Sequence, residues 1–302
     1  MTLELTIGIP TYGREDVLVE TVAGVLARAE GRRVEVIVAD QTASHGEEVT
    51  RRLRQWDASG AIRYLQPDHP SLPHARNVIL REARAPIVLF LDDDVRIPDG
   101  FIEAHLAPYG DPAVAAVAGQ TFHSADKTTP PTLDTPHERS RPHFDPDRPA
   151  GPATRFVGCN HSVRREAAIA IGGYDEQFVR SANFEESDLA QRLIDSGHTI
   201  HYEPRAWLVH LLAPSGGCRV TAAPAWSEWP KAANFLLFAL RHPGQKADAR
   251  FCFSRSLRAV PLRKDNITKP WRQPGAWYSW CRAFLYALRR RGGVRSIFTT
   301  DR

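Results

Sequence analysis

A chain of 302 residues, 42% of them hydrophobic, can bury a sizeable core as one large domain or as one domain with an appendage. No apolar run approaches the roughly 20 residues of a spanning helix, and the start, which carries Glu4 and no basic run, excludes a signal peptide, so a cytoplasmic protein is expected. Cys159, Cys218, Cys252 and Cys281 are scattered without a CxxC pair, which argues against a zinc site or a disulfide framework and predicts free, mostly buried thiols.

Leu3 to Ile9 reads as a strand ending at Pro10, with Thr11-Tyr12-Gly13-Arg14 as the turn after it. A helix from about Glu15 to Ala29 follows, with Leu18, Val22, Val25, Leu26 and Ala29 on one face, and Gly31 stops it. Val34 to Ala39 is a second strand, ending in Asp40. A helix near Glu47 to Ser59, a strand from Ile62 to Leu65 and a helix after Pro73 lead to Ile87. Strand and helix alternate four times, which implies a parallel sheet with right-handed crossovers and helices on both faces. Neither GxGxxG after the first strand nor GxxxxGK[ST] occurs, so phosphates must be handled by other means.

Ile87-Val88-Leu89-Phe90-Leu91 is a short strand buried on both faces, and Asp92-Asp93-Asp94 follows it. A strand of this kind delivers its C-terminal end to the ligand crevice of an open α/β sheet. Unit charges ~4 Å apart repel by about 4 kcal/mol at an effective dielectric near 20, so three adjacent carboxylates ask for a cation. Hard oxygen donors with no Cys or His cluster beside them in the sequence suit Mg2+ or Mn2+ better than Zn2+. The plain alternative is a solvated acidic turn.

Phe101 to Pro108 reads as a helix and Val114 to Gly119 as a strand. Seven prolines fall between residues 123 and 152 without apolar periodicity, the mark of a lid over the crevice or of an uninvolved excursion. Arg155 to Asn160 is expected as a strand and Arg165 to Ile171 as a helix capped by Gly172-Gly173. Phe184-Glu185-Glu186-Ser187-Asp188-Leu189 opens another helix, where three acidic residues also suit the helix dipole. Strands at Thr199 to Tyr202 and Ala206 to Val209 end in His210. After it come a short apolar helix, Asn234 to Leu240, and a final helix, Trp277 to Arg291, with Trp277, Trp280, Phe284, Leu285 and Leu288 around one side.

The net charge of +4 is unevenly spread, because residues 250–302 carry 13 Lys/Arg against 2 Asp/Glu, a net of +11 that leaves −7 for residues 1–249. Such a tail fits a polyanion, phospholipid headgroups or nucleic acid, or is simply a solvated basic face. Joined to an aromatic amphipathic helix, it predicts an anionic membrane surface rather than nucleic acid, unless that helix docks back on its own domain.

Taken together, Ile9-Pro10-Thr11-Tyr12, Asp40, Ala75-Arg76-Asn77, the DxD of Asp92 and Asp94, Gly172-Gly173-Tyr174-Asp175-Glu176, Glu185-Glu186-x-Asp188-Leu189 and His210 resemble the family two glycosyltransferases, in that family's order. The likeness covers roughly Leu3 to His210. It implies a GT-A (Rossmann-like) fold of mostly parallel sheet with helices on both faces, residues 1–212, extended by a helical basic region, 213–302. The donor half spans about 1–122, a Pro-rich lid 123–152 and the acceptor half 153–212. The resemblance further implies a metal-dependent, inverting transfer from a UDP-, dTDP- or GDP-linked sugar to an acceptor hydroxyl, in cell-surface polysaccharide or glycolipid synthesis, with a lipid-linked acceptor among those expected. Pro10, Thr11, Tyr12, Arg14, Asp40 and Arg76 would hold the nucleotide, Asp92 and Asp93 would sit near ribose and diphosphate, and Asp94 with His210 would bind Mn2+ or Mg2+. Glu186 falls where the family has its aspartate base, here one methylene longer and preceded by Glu185, which leaves either carboxylate as the base.

Two other readings compete. The strand with DxDxV also describes the nucleophile strand of haloacid-dehalogenase-like phosphatases, but there it comes first in the fold, and here three strand-helix units precede it. The second is a GT-A-like domain that binds a nucleotide sugar without turnover, which the intact DxD and the acidic helix start argue against.

Overall fold

The computed structural model describes residues 2–124, 133, 140–145, 147–217 and 229–299. Its first half is β1 (Leu5–Thr11), α1 (Asp16–Ala29), β2 (Val34–Asp40), α2 (Glu47–Ala58), β3 (Arg63–Leu65), α3 (Leu72–Glu82) and β4 (Ile87–Leu91). β3, β2, β1 and β4 lie side by side and parallel. Both faces of these strands are apolar, so both must be covered. Val36, Val38 and Leu89 pack with Leu18, Val22 and Leu53 of α1 and α2 on one face. Ile37, Ala39 and Phe90 face the other way, against Ile79 of α3 and Leu189 and Leu193 of a later helix.

Beyond β4 come β5 (Val95–Arg96), α4 (Phe101–Leu106), β6 (Val114–Ser124), β7 (Ser140–Pro142), β8 (Gly151–Ala153), β9 (Asn160–Arg164), α5 (Arg165–Ala170), α6 (Glu185–Asp195) and β10 (Thr199–His210). The sheet order is β3-β2-β1-β4-β9-β6-β10-β5, and β9 is antiparallel to both neighbours. Of the segment expected as a lid, residues 125–132, 134–139 and 146 lie outside the described residues.

β1 lies two residues later than the sequence reading, running through Pro10 to Thr11, and three boundaries in the second half of the sheet also differ. The strand expected at Arg155 to Asn160 begins only at Asn160, because pairing with β4 runs from Leu91↔Asn160 to Ile87↔Arg164. Arg164 secures that register by donating to the carbonyls of Val114, Tyr109 and Asp111. Val157 to Asn160 is consequently a turn closed by a single bridge. The two strands expected around Pro204 are one strand, β10, whose register on β6 shifts between Glu203 and Leu208, as a proline without an N–H requires. β6 runs on to Ser124 and carries His123 opposite His210.

Gly119 is the one residue type that fits mid-β6, since an added methyl would overlap the Ala206 carbonyl and the Asn160 side chain. The Asn160 amide uses that space, donating to the carbonyls of Gln120 (2.8 Å) and Ala206 (2.9 Å) and accepting from His105 Nε2 (2.9 Å). Burial lowers the His105 pKa to about 4, so its ring stays neutral.

The basic region folds as α7 (Trp229–Arg241), α8 (Lys246–Ala259), α9 (Lys264–Ile267) and α10 (Gln273–Arg290). α10 docks on its neighbours through the small residues Ala276, Ser279, Ala283 and Ala287, with Trp280 and Phe284 of its aromatic side packed half-buried beside them. Trp277, Tyr278, Leu285 and Leu288 remain exposed. Asn234 of α7 clips the backbone of Val179, accepting from its N–H and donating to its carbonyl at 2.9 Å each.

Arg241 and His242 reach the first turns of α6. Asp188 is fully buried and meets Arg192 (2.8 Å), Arg241 (2.9 Å) and His242 (2.9 Å), while Arg241 also meets Asp175 at 2.7 Å. Burial alone would raise the Asp188 pKa, but Arg192, His242 and Arg241 hold it well below the usual carboxylate range. A depressed carboxylate stabilises the fold above its unfolded pKa of about 3.9, and that contribution is lost as pH falls through the lower folded value. Arg241→Ala should therefore cost about 3 kcal/mol, the low end for breaking a buried pair because Arg192 and His242 remain. It should also move the acid-unfolding midpoint upward. Circular dichroism against temperature and pH tests both, and an unchanged acid midpoint would remove Asp188 from the stability account.

Candidate active site

A cleft of about 340 Å³ opens at the C-terminal ends of β1 and β4, the crevice position of an open α/β sheet. Three segments supply its polar wall: Pro10, Thr11, Tyr12 and Arg14 after β1, Asp92 and Asp93 after β4, and Glu185 and Glu186 at the start of α6. Arg76 from α3 and His210 from the end of β10 complete it. A second cleft adjoins, sharing Tyr12 and Gln41 and walled by Thr42, Pro70 and Ser215.

The three aspartates have three different environments. Asp93 accepts from Thr11 Oγ1 (2.7 Å) and Arg14 Nε (3.0 Å). Burial, helped by the charges of Asp94 and Asp92 and opposed by Arg14 and Thr11, pushes its pKa up to about 6. Asp94 is 1% exposed; one oxygen accepts from His210 Nε2 at 2.8 Å, and the other from Arg14 Nη2 (3.1 Å) and the Ala213 N–H (2.8 Å). Asp92 is 32% exposed, faces the cleft, and lies 3.6 Å from His210 Nε2 and 3.7 Å from Arg76.

Arg14 is a tie more than a free contact. Besides Asp93 and Asp94 it donates to the carbonyls of Ala213 and Ser215, so it binds the turn after β1 to the acidic end of β4 and to the chain leaving β10.

Two residues expected on the cleft surface stand behind it. Asp40 is buried; its Oδ1 accepts from the Thr42 N–H (2.8 Å), while its Oδ2 accepts from the Tyr64 hydroxyl (2.7 Å) and pairs with His45. Its neighbour Gln41 lines both clefts instead. Asp94 likewise does not line the cleft; its contact with His210 Nε2 puts it directly behind that ring.

The two glutamates separate clearly. Glu185 is buried in an ion pair with Arg76, whose other nitrogen donates to the Gly158 carbonyl at 2.8 Å. Its second oxygen, Oε2, and Arg76 Nε are buried without a partner. Glu186 is half-buried, lines the cleft and forms no ion pair among the described residues. Burial raises its pKa, with the charge of Asp92 adding to the rise and Arg76 opposing it. The loop before α6 holds Arg180, Ala182 and Phe184 at φ of 54°, 44° and 73°, a left-handed conformation costly for residues with a side chain.

Donors for a divalent cation converge where sequence alone does not bring them together. Asp92, Asp94 and His210 meet around one imidazole nitrogen. Cys159, from the turn before β9, lies beside Asp92 and His210. Burial alone would lower the His210 pKa, but contacts with Cys159 and Asp94 raise it well above the ordinary imidazole value. Carboxylate and imidazole donors at this spacing fit a divalent metal. Sequence reasoning did not single out His123, Cys159, Gln41 or the 181–183 loop, all of which line the cleft.

Residues 6–172 match the family model for Glycosyl transferase family 2. The chain is 27% identical over 227 residues to the succinoglycan biosynthesis protein ExoM of Rhizobium meliloti, covering 74% of this chain and 71% of the relative. It is 31% identical over 153 residues to the pre-mycofactocin glycosyltransferase of Mycobacterium tuberculosis, covering 49% of this chain and 32% of that protein. Among solved structures, Staphylococcus aureus TarS 1-349 superposes with a TM-score of 0.65 at 14% identity, covering 96% of this chain and 82% of that one. The mannosyltransferase PcManGT from Pyrobaculum calidifontis, in complex with GDP-Man and Mn2+, superposes with a TM-score of 0.53 at 17% identity, covering 94% and 75%. The chain belongs to glycosyl transferase family 2 and is a glycosyltransferase of GT-A fold.

Proposed function

We propose that the chain transfers a sugar from a nucleoside-diphosphate sugar to an acceptor hydroxyl by a single, inverting, metal-dependent displacement, with Glu186 as general base. The observation that carries this reading is the contrast at the start of α6: Glu185 is held by Arg76, while Glu186 faces the cleft with a raised pKa. A carboxylate so placed takes the acceptor proton as the acceptor oxygen bonds to the anomeric carbon. The bond from that carbon to the diphosphate breaks in the same step. A divalent ion, when bound, supplies Lewis-acid neutralisation of the departing diphosphate, and Asp92, Asp94 and His210 are the residues to hold it. The nucleotide lies across the two clefts, with Tyr12 and Gln41 at their junction and Asp93, fixed by Thr11 and Arg14, beside the ribose and diphosphate. Neighbours solved with GDP-Man and Mn2+ and with UDP-GlcNAc support a nucleotide donor and a metal. Residues up to 122 serve the donor, and those from 153 to 212 the acceptor.

We further infer that the enzyme works at an anionic membrane on a glycolipid or polysaccharide acceptor; the succinoglycan biosynthesis relative supports the polysaccharide part of this reading. Every large hydrophobic that is exposed among the described residues falls between Phe251 and Leu288, with Trp271 at 74% and Tyr278 at 72%. Thirteen Lys/Arg share residues 250–302. Aromatic burial and about 1 kcal/mol per basic side chain near acidic lipid act together.

Three outcomes are expected. Asp92→Asn should abolish Mn2+-dependent donor binding in a thermal-shift screen of UDP-, GDP- and dTDP-sugars with Tm unchanged, whereas Asp94→Asn should also lower Tm because it strands Arg14 and His210. Equal Mn2+-dependent affinity in Asp92→Asn would sink its role. Glu186→Gln should keep donor binding and lose transfer by about 100-fold or more, while Glu185→Gln should destabilise the fold by unpairing Arg76. The reverse pattern moves the base to Glu185. Sedimentation with acidic liposomes should capture the protein at low salt and release it at high salt. A triple change of Trp271, Trp277 and Tyr278 to Ser should keep it in the supernatant; unchanged capture would refute the membrane face.

A further inference from the structure

The turn before β9 brings a thiol to the carboxylates, and no role assigned above uses it. The Cys159 sulfur, a carboxylate oxygen of Asp92 and a ring nitrogen of His210 all lie within 4.8 Å of one another. Cys159 is 3% exposed, and its contact with Thr121 Oγ1 is long, at 3.8 Å. Both chain neighbours of Cys159 are anchored: Gly158 by its carbonyl to Arg76 and Asn160 by its amide to Gln120 and Ala206. The sulfur is therefore held by a rigid frame and not by a mobile loop. A tetrahedral site with bonds of ~2.0–2.3 Å has edges of about 3.5 Å, so these donors close on one ion with side-chain shifts on the order of 1 Å.

We propose that Cys159 is a ligand of the same divalent ion as Asp92 and His210, and that its sulfur turns the site away from Mg2+ toward later first-row ions such as Co2+ and Zn2+. The proposal rests on the metal-dependent reading above and adds a donor to it. Sulfur is a poor ligand for Mg2+, which keeps oxygen donors and near-ideal octahedral geometry, whereas imidazole and thiolate suit later first-row metals. As the sulfur–metal bond forms, the thiol proton is released to solvent. The mixed donor set comes from three places distant in sequence, the ends of β4 and β10 and the turn before β9, and the fold alone brings them together.

Cobalt is the probe, because a thiolate bound to Co2+ gives an intense near-ultraviolet charge-transfer band that oxygen and imidazole donors do not. The full chain should develop that band when titrated with Co2+ in the presence of UDP, GDP or dTDP. Cys159→Ser and Cys159→Ala should lose it while still binding Co2+ and nucleotide, and Cys218→Ser and Cys281→Ser should keep it. In the wild type, Co2+ with nucleotide should also slow alkylation of Cys159, read by peptide mass spectrometry, at least tenfold, while Mg2+ should not. Both Cys159 variants should narrow the Co2+ over Mg2+ preference in nucleotide binding by about tenfold. Co2+ bound without the band, or a band that survives in both Cys159 variants, overturns the proposal and leaves the transferase reading standing. A wild-type chain that binds neither nucleotide nor metal overturns both.

Discussion

The ion-pair cluster at the end of β4 is the constraint around which the rest of the molecule is arranged. Three consecutive carboxylates close a strand buried on both faces, and like charges at that spacing are not tolerated without cations. The fold supplies them from three directions: Arg14 from the turn after β1, Arg76 from α3 and His210 from the end of β10. Each carboxylate thereby acquires its own character: Asp94 locked, Asp93 raised in pKa by burial and held by Thr11 and Arg14, Asp92 open to the cleft.

Much of the donor half was legible because local pattern and tertiary fold agree there. Alternating apolar strands and amphipathic helices predict β1 to β4 within two residues, and the crevice rule places the acidic stretch at the site. What could not be read were the facts that depend on pairing between distant strands. The partner of β4 begins at Asn160, not at Arg155, because Leu91 sets the register and Arg164 is anchored three times. That shift of five residues turns a supposed strand into the turn that presents Cys159. Periodicity in a six-residue apolar segment carries no information about such a slip.

The same limit explains Asp40. A carboxylate at a strand end in the crevice looks like a ligand contact, but the sequence does not show that Tyr64 and His45 close over it. In the structure it caps the Gln41-Thr42 turn, and Gln41, the less conspicuous neighbour, lines both clefts. His123 was missed for a related reason, since the strand bearing it runs five residues past Gly119 and faces His210 only once β6 and β10 are paired.

The C-terminal helices bear on the chemistry more directly than a basic tail would. The stretch matched to the family ends at residue 172, before the helix that carries Glu185 and Glu186. That helix begins after three left-handed residues, a conformation that relaxes unless its surroundings hold it. Here the holders are α7 and α8: Asn234 clips Val179, Phe184 packs on Phe235, Phe238 and Phe251, and Arg241 and His242 seize Asp188 one turn into α6. The exposed large hydrophobics of the same C-terminal region lie on α8, α9, α10 and the turns between them. That region therefore fixes the start of α6, and with it Glu186, on its inner side, while its outer side carries the exposed aromatic and basic residues. A surface met by that outer face is thus held at a fixed geometry to the cleft.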